Sequence, residues 1–149
     1  ESMLISNQEP AQCLYRHGAT ACTDVTGFGL LGHLLEMSRA SNHDIHLQLS
    51  ALPLLDGAEQ TVAEGILSSL HPQNVRIKHA IRINSDLTNQ LRYPLLFDPQ
   101  TAGGLLASVP SGQAAACLAE LHTAGYRTAM IIGEVEPRSD LDMPIRITG

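Results

Sequence analysis

Residues 21–37, which read ACTDVTGFGLLGHLLEM, constrain the fold of this chain more than any other stretch. The second half of the stretch carries apolar residues at the spacing of one buried helix face: Leu30, Leu31, Leu34, Leu35 and Met37. Gly27, Gly29 and Gly32 stand where that helix begins, although each glycine there costs roughly 1 kcal/mol relative to alanine. The pattern therefore predicts a helix entered through a turn that needs unusual dihedral angles or close backbone approach.

An acidic residue, Asp24, comes three residues before the first of these glycines. The start of a helix presents unpaired N–H groups and a partial positive charge, which favour anions such as phosphate. A carboxylate at that place can hold a hard cation such as Mg²⁺ against the phosphate. Two readings follow from the residues alone: Asp24 is a metal ligand, or it is a carboxylate that caps the helix or turn.

Composition narrows the class of protein. The chain has 149 residues, of which 44% are hydrophobic and 16% charged, so we expect one soluble globular domain. Its net charge is −6 and aromatic residues make up only 3%, which argues against a nucleic-acid or anionic membrane surface. No apolar run approaches the ~20 residues of a membrane span, and no signal-peptide pattern opens the sequence.

The three cysteines, Cys13, Cys22 and Cys117, are odd in number and have no CxxC spacing. They predict neither a disulfide framework nor a zinc knuckle, and they fit a reducing, cytoplasmic location. The sequence begins with Glu1 rather than methionine. We therefore expect an excised domain or a mature fragment, whose function depends on further chain.

The local patterns predict alternating helices and strands. Predicted helices cover residues 10–16 (with Asn7 as cap and Gly18 as end), 28–40, 56–64 (with Asp56 as cap) and 113–124 (with Ser111 as cap). Predicted strands cover residues 19–25, 44–50, 95–97, 105–109, 129–135 and 145–148. Residues 67–89 read as surface loops, with one or two short strands at Val75, Ile77, Ile81 and Ile83. The alternation indicates one α+β or α/β layered domain.

Two stretches carry a family resemblance. Residues 23–33 (TDVTGFGLLGH) and 97–106 (FDPQTAGGLL) resemble two signatures of the C-terminal domain of selenophosphate synthetases (selenide, water dikinases), within the aminoimidazole ribonucleotide synthetase superfamily. Ala102 stands where that family has a serine. The order and separation of the motifs also fit. The resemblance implies an α+β fold, with helices packed over a mixed sheet, in which residues 1–149 form a single domain.

The resemblance also implies a reaction: ATP, selenide and water give selenophosphate, AMP and phosphate, with Mg²⁺ required. In that family the reactive cysteine or selenocysteine and most ATP contacts lie in an N-terminal domain, outside this sequence. We therefore expect no catalytic residue here, an inactive isolated domain, and as partners the chain's own N-terminal domain and a second copy in a homodimer. Asp24 matches the family's magnesium ligand. Gly27, Gly29, Gly103 and Gly104 are the expected cofactor-binding glycines.

Two rival interpretations stay open. One is another ATP-using member of the superfamily, such as a ribonucleotide synthetase, a thiamine-phosphate kinase or a hydrogenase-maturation protein. The other is a non-catalytic binding or dimerisation module that has kept the fold. An upstream glycine-rich segment with a lysine and a cysteine or selenocysteine would favour an enzyme.

Several other residue types invite functional readings that we weigh lower. His33 reads as a structural or interface histidine rather than an acid–base group. His43 and His46 lie three apart on a predicted strand, so their side chains point to opposite faces and do not share a metal ion. Cys22 has no adjacent basic partner and reads as a buried structural thiol. Asp98, before a proline, reads as a turn former.

Overall fold

The structure is a computed structural model that describes residues 5–139 and 142–149. Its α-helices are α1 (Gln8–Arg16), α2 (Gly29–Ser41), α3 (Ala58–Ala63), α4 (His71–Asn74), α5 (Ser85–Thr88), α6 (Arg92–Leu95) and α7 (Ser111–Thr123). Its strands are β1 (Ala21–Asp24), β2 (His43–Gln48), β3 (Ile81–Ile83), β4 (Leu105–Ser108), β5 (Gly133–Pro137) and β6 (Ile145–Thr148). Two 3-10 helices cover Leu49–Ala51 and Val75–Ala80. Within the described residues, no helix combines the length and apolarity that crossing a membrane requires.

The strands form two separate sheets. The larger has the order β3-β6-β2-β5, in which β2 and β3 run parallel to β6 while β5 is antiparallel to β2. The smaller is an antiparallel ribbon of β1 and β4, which sets Asp24 opposite Leu105. This arrangement confirms the predicted α+β class, with a mixed sheet and helices packed over it.

The main core lies between α2 and the four-stranded sheet. Leu31, on α2, is fully buried and belongs to the same apolar cluster as Leu47 of β2 and Ile145 of β6. Phe97 is also fully buried in this cluster, with its ring edge-on to Tyr93. The leucine-rich face predicted for the helix after the glycine turn is therefore the face that covers the sheet.

A small cluster of buried side chains forms a second core between α1 and α7. It contains Cys13 and Leu14 from α1 and Cys117 and Leu121 from α7. Side chains of β4 contribute to both cores, because successive residues of a strand point to opposite faces. The ribbon is therefore a layer shared by the main core and the small cluster.

Most of the predicted elements are present. Helices occur at four predicted places, and strands at residues 21–24, 43–48, 105–108 and 145–148. Asn7 and Gly18 bracket α1 as expected, but the Asn7 side chain donates to the Gly103 carbonyl (3.2 Å) instead of capping the helix. Ser111 is the first residue of α7 and Pro110 occupies the cap position.

One predicted strand is wrong and a second is displaced along the chain. The apolar triplet at 95–97 completes a helical turn: the Leu96 N–H donates to Tyr93 and the Phe97 N–H to Pro94. A short apolar run cannot distinguish a buried strand from a buried helical turn. The strand predicted at 129–135 is present as β5, but it begins at Gly133, runs to Pro137, and leaves Val135 50% exposed.

Two further details differ from expectation. Gly57, with φ +83°, takes the cap position of α3 in place of Asp56. The 67–89 segment is mostly helical turns, so Val75 and Ile77 lie in a 3-10 helix, whereas Ile81 and Ile83 form the predicted short strand β3.

Candidate functional site

Asp24 is the last residue of β1 and its side chain is exposed. The chain turns directly after it, and the N–H of Val25 donates to the carbonyl of Gly104 at 3.0 Å. One residue further, the carbonyl of Thr26 accepts from the N–H of Gln100, also at 3.0 Å. The two motifs recognised in the sequence are therefore hydrogen-bonded to each other, and Asp24 lies at their junction.

Two of the four predicted ligand glycines are required by backbone packing. A Cβ at Gly103 would lie 2.1 Å from the carbonyl oxygen of Val25. A Cβ at Gly29 would lie 2.8 Å from the carbonyl carbon of Phe97, and the φ of Gly29 is +68°. Both contacts join one motif to the other. The glycine identity at these two positions is explained by that close approach, and contact with a ligand there stays a prediction.

The other two predicted ligand glycines face open space. No heavy atom comes within 4 Å of a Cβ built on Gly27 or on Gly104. Gly104 is exposed and follows the closely packed Gly103 directly. The surface beside Asp24 therefore has room for a bound group at these positions, although ligand binding by Gly27 and Gly104 stays a prediction as well.

Asn74 joins the same two motifs from a third segment. Its side-chain amide donates to the carbonyls of Gly27 and Phe97, both at 2.9 Å. Sequence reasoning missed this residue, because it lies in a polar segment that gave no clear pattern. The only sequence signal was an asparagine among surface-type residues, and that signal does not reveal partners 47 and 23 positions away.

His33 stabilises the turn between Asp24 and α2 from the buried side. It is buried on α2, and its Nε2 accepts from the N–H of Thr26 at 3.0 Å and contacts the Thr26 hydroxyl at 3.1 Å. Nδ1 has no hydrogen-bond partner among the described residues and lies 3.7 Å from the carboxylate of Glu36. This geometry agrees with the structural reading of His33: it holds the backbone between Asp24 and α2.

The start of α2 is less open to an anion than the sequence suggests. The N–H of Gly29 donates to Thr26, and the N–H of Leu31 donates to the carbonyl of Leu96. These protein contacts use groups that a bound phosphate would otherwise take. The exposed carboxylate of Asp24 and the open glycine positions are thus better placed to meet a ligand than the helix terminus itself.

The remaining candidates are dispersed. Cys22 is exposed, which corrects the expectation of a buried thiol, and partial desolvation followed by the charge of Asp24 raises its pKa. His46 contacts the hydroxyl of Thr148 at 2.8 Å, whereas Nδ1 of His43 contacts the carbonyl of Ser41 at 2.7 Å. The two histidines therefore have separate partners, as their strand spacing predicts.

Asp24 suits a magnesium site whose other ligands come from outside this chain. Among the described residues, Asp24 belongs to no group of three or more side chains able to hold a metal ion together. Magnesium commonly keeps several waters and uses one or two carboxylates together with substrate phosphates. A single exposed carboxylate beside open glycine positions suits such a shared ion and does not suit a cage built by this chain alone.

Comparison with known proteins assigns this chain to a family. Residues 2–145 match the model of the AIR synthase related protein C-terminal domain. A selenide, water dikinase of Trichlorobacter lovleyi is 39% identical over 139 residues, and one of Rhizobium meliloti is 42% identical over 114. A third, from Caldanaerobacter subterraneus, is 34% identical over 149 residues.

The matches cover most of this chain but a smaller part of each relative. They span 93% of the chain and 40% of the Trichlorobacter protein, 76% and 32% for Rhizobium, and 98% and 42% for Caldanaerobacter. The chain thus spans about 40% of the length of the curated relatives it matches most fully. On the family model and these relatives, the chain belongs to the AIR synthase-related C-terminal domain family, with selenide, water dikinases among its relatives.

Proposed function

We propose that this chain is the C-terminal part of a selenide, water dikinase and that it completes an ATP site built mainly by an N-terminal domain. The observation that carries the proposal is the exposed carboxylate of Asp24 at the junction of the two motifs. Asp24 would hold the Mg²⁺ that accompanies ATP, as a carboxylate does where substrate phosphates supply other ligands. The bound ion would supply charge neutralisation, which is the main requirement of phosphoryl transfer.

The residues around Asp24 have positioning roles in this proposal. Asn74 and His33 hold the backbone of the turn through the carbonyl of Gly27 and the N–H of Thr26. The surface at Gly27 and Gly104 forms part of the wall along the phosphates, since it has the open space for it. A turn fixed by three segments keeps the carboxylate in one place, and positioning is worth a large part of the barrier to such reactions.

The partners follow from the same proposal. The relatives are longer than the chain, which supports an N-terminal domain as its first partner. Phe28 is 60% exposed on the turn after Asp24 and offers apolar surface that another domain can cover. A homodimer, selenide and ATP as substrates, and a cytoplasmic location belong to the proposal, as does the absence of nucleic-acid and membrane partners.

The test replaces the carboxylate in the full-length protein. We expect Asp24→Asn to lower Mg²⁺-dependent ATP turnover on the order of 100-fold, because a metal ion contributes several kcal/mol to the transition state. The matched control is Asp56→Asn, an exposed aspartate in the loop before α3, which should retain turnover. Both variants should unfold at the temperature of the wild type. Turnover near wild type for Asp24→Asn would remove the metal-ligand role.

The same preparation separates the dikinase from its rivals. Formation of AMP and phosphate should depend on added selenide, and the 149-residue chain alone should turn over no ATP. AMP formation independent of selenide would favour another ATP-using family member. If the full-length protein neither binds nor hydrolyses ATP, the non-catalytic module is the better interpretation.

A further inference from the structure

Cys13 and Cys117 are far apart in sequence but meet between α1 and α7. The Sγ of Cys13 lies 3.9 Å from the carbonyl oxygen of Cys117. His17, one helical turn after Cys13, joins them: one ligating atom from each of the three residues lies within 4.8 Å of the others. Both thiols are buried, with 2% and 3% of their surface exposed, whereas His17 is partly open to solvent.

A carboxylate supports the histidine in this group. Oε2 of Glu120 lies 2.8 Å from Nε2 of His17, and the other oxygen of Glu120 accepts from Arg16. Metal-binding histidines commonly have one ring nitrogen held by a carboxylate in this way. Two sulfur atoms, an imidazole nitrogen and a supporting carboxylate thus converge on one side of the small cluster.

We propose that Cys13, His17 and Cys117 bind a zinc-type divalent ion that joins α1 to α7, with Glu120 orienting the imidazole. Sulfur and imidazole nitrogen are the ligands that tetrahedral zinc prefers. With a zinc–sulfur distance of about 2.3 Å, tetrahedral ligand atoms lie roughly 3.7 Å apart. In this structure the ligand atoms lie within 4.8 Å of one another, so binding draws them together by no more than about 1 Å. The partly exposed His17 gives the ion a way in.

The charge of the ligands explains why a divalent ion can bind at this buried position. Two thiolates balance the charge of a divalent cation, so the loaded site is neutral although it is buried. Binding forms two metal–sulfur bonds and releases two protons, so the affinity must rise with pH.

A disulfide is the competing use of the same two cysteines. Both are free thiols, as is the exposed Cys22. A disulfide would join Cys13 to Cys117 but would not involve His17, which lies beside both sulfur atoms. The metal site uses all four side chains, and for that reason we favour it.

Cobalt(II) tests the proposal in the reduced 149-residue chain, because thiolate ligation gives a charge-transfer absorption band that imidazole alone does not give. We expect each chain to bind one cobalt ion and to show this band. One equivalent of zinc should then displace the cobalt. Cys13→Ser and Cys117→Ser should each weaken cobalt binding and reduce the band to about half or less, because one of the two thiolates is lost, whereas Cys22→Ser should keep the full band. Glu120→Gln should keep the band and weaken affinity by roughly 10- to 100-fold.

A second measurement uses the wild-type chain, so it tests the proposal even if the variants fail to fold. In the wild-type chain, zinc should raise the unfolding temperature and a chelator should reverse the rise, with a smaller effect at lower pH. The proposal is wrong if reduced wild-type protein binds no cobalt or zinc, or if the band keeps its full intensity after loss of Cys13 or of Cys117. It is also wrong if a Cys13–Cys117 disulfide forms equally fast with and without zinc. None of these readouts depends on ATP, so they do not depend on the proposed dikinase function.

Discussion

Gly103 and Gly104 are neighbours in sequence but stand in opposite surroundings. A Cβ on Gly103 would meet the carbonyl of Val25 at 2.1 Å, whereas Gly104 has open space. We expect Gly103→Ala to lower the free energy of unfolding by about 1–3 kcal/mol, the usual cost of forcing an extra methyl group into a packed site. Gly104→Ala should stay within about 0.5 kcal/mol of the wild type. Urea denaturation of both variants measures the difference.

The same pair tests the ligand-binding prediction. If Gly104 approaches the phosphates, Gly104→Ala in the full-length protein should raise KM for ATP while its stability is unchanged. Equal stability losses in the two variants would mean that the packing of Gly103 against Val25 is wrong. An unchanged KM in Gly104→Ala would remove Gly104 from the binding surface.

Asn74 should stabilise the turn through two hydrogen bonds. Each is worth about 0.5–1.5 kcal/mol, so we expect Asn74→Ala to cost about 1–3 kcal/mol in thermal or urea unfolding. The control is Asn89→Ala, on an exposed turn. In the full-length protein Asn74→Ala should also lower ATP turnover at saturating Mg²⁺, since it releases the backbone of Gly27. Stability equal to that of the control would contradict this role.

At the scale of elements, Asp44 on β2 ties the sheet to the chain beyond β5. Its side chain is 1% exposed and accepts from Arg82 (3.2 Å), Arg138 (3.0 Å) and Ser139. Burial raises the pKa of this carboxyl, but hydrogen bonds from Ser139 and the charges of the two arginines outweigh burial. The pKa therefore lies below the ordinary value, and the ionised carboxylate stabilises the fold.

This ion network predicts a pH dependence. The stabilisation is complete above the unfolded pKa of about 3.9 and is lost as pH falls through the lower pKa of the folded state. At neutral pH we expect Asp44→Asn to cost about 2–3 kcal/mol, below the ~3–5 kcal/mol of fully buried pairs because both arginines stay partly exposed. In urea titrations, the difference in free energy of unfolding between wild type and Asp44→Asn should decrease as pH is lowered. Asp86→Asn, at an exposed aspartate, should show no comparable gap.

The elements show how far sequence reasoning reached. The glycine turn and α2 were predictable, because their signals are local: glycines and helical leucine spacing. The triplet at 95–97 was wrongly predicted as a strand, because its burial beneath α2 depends on tertiary packing. The contacts of Asn74 and the meeting of Cys13 with Cys117, 104 positions apart, depend on how the elements pack. No spacing rule within one segment encodes such contacts.

At the scale of the whole molecule, the β1–β4 ribbon joins two cores into one body. Leu106 packs into the main core, while Leu105 and Ala107 on either side pack against the small cluster between α1 and α7. Because adjacent residues of one strand belong to different cores, neither core can open without exposing the ribbon. The carboxylate of Asp24, at the end of that ribbon, is consequently held by the stability of the whole domain.

This coupling predicts a single cooperative unfolding transition, and two tyrosines can test it because the chain has no tryptophan. Tyr93 is buried in the main core, whereas Tyr126 packs against the small cluster. Both variants carry Tyr15→Phe, so that each keeps a single tyrosine. Adding Tyr126→Phe leaves only the tyrosine fluorescence of Tyr93, and adding Tyr93→Phe leaves only that of Tyr126. We expect both signals to change at the same urea concentration as the far-ultraviolet circular dichroism of the same variant. An earlier transition at Tyr126 would mean that α1 and α7 open independently, and Asp24 would then lose part of its support before the sheet unfolds.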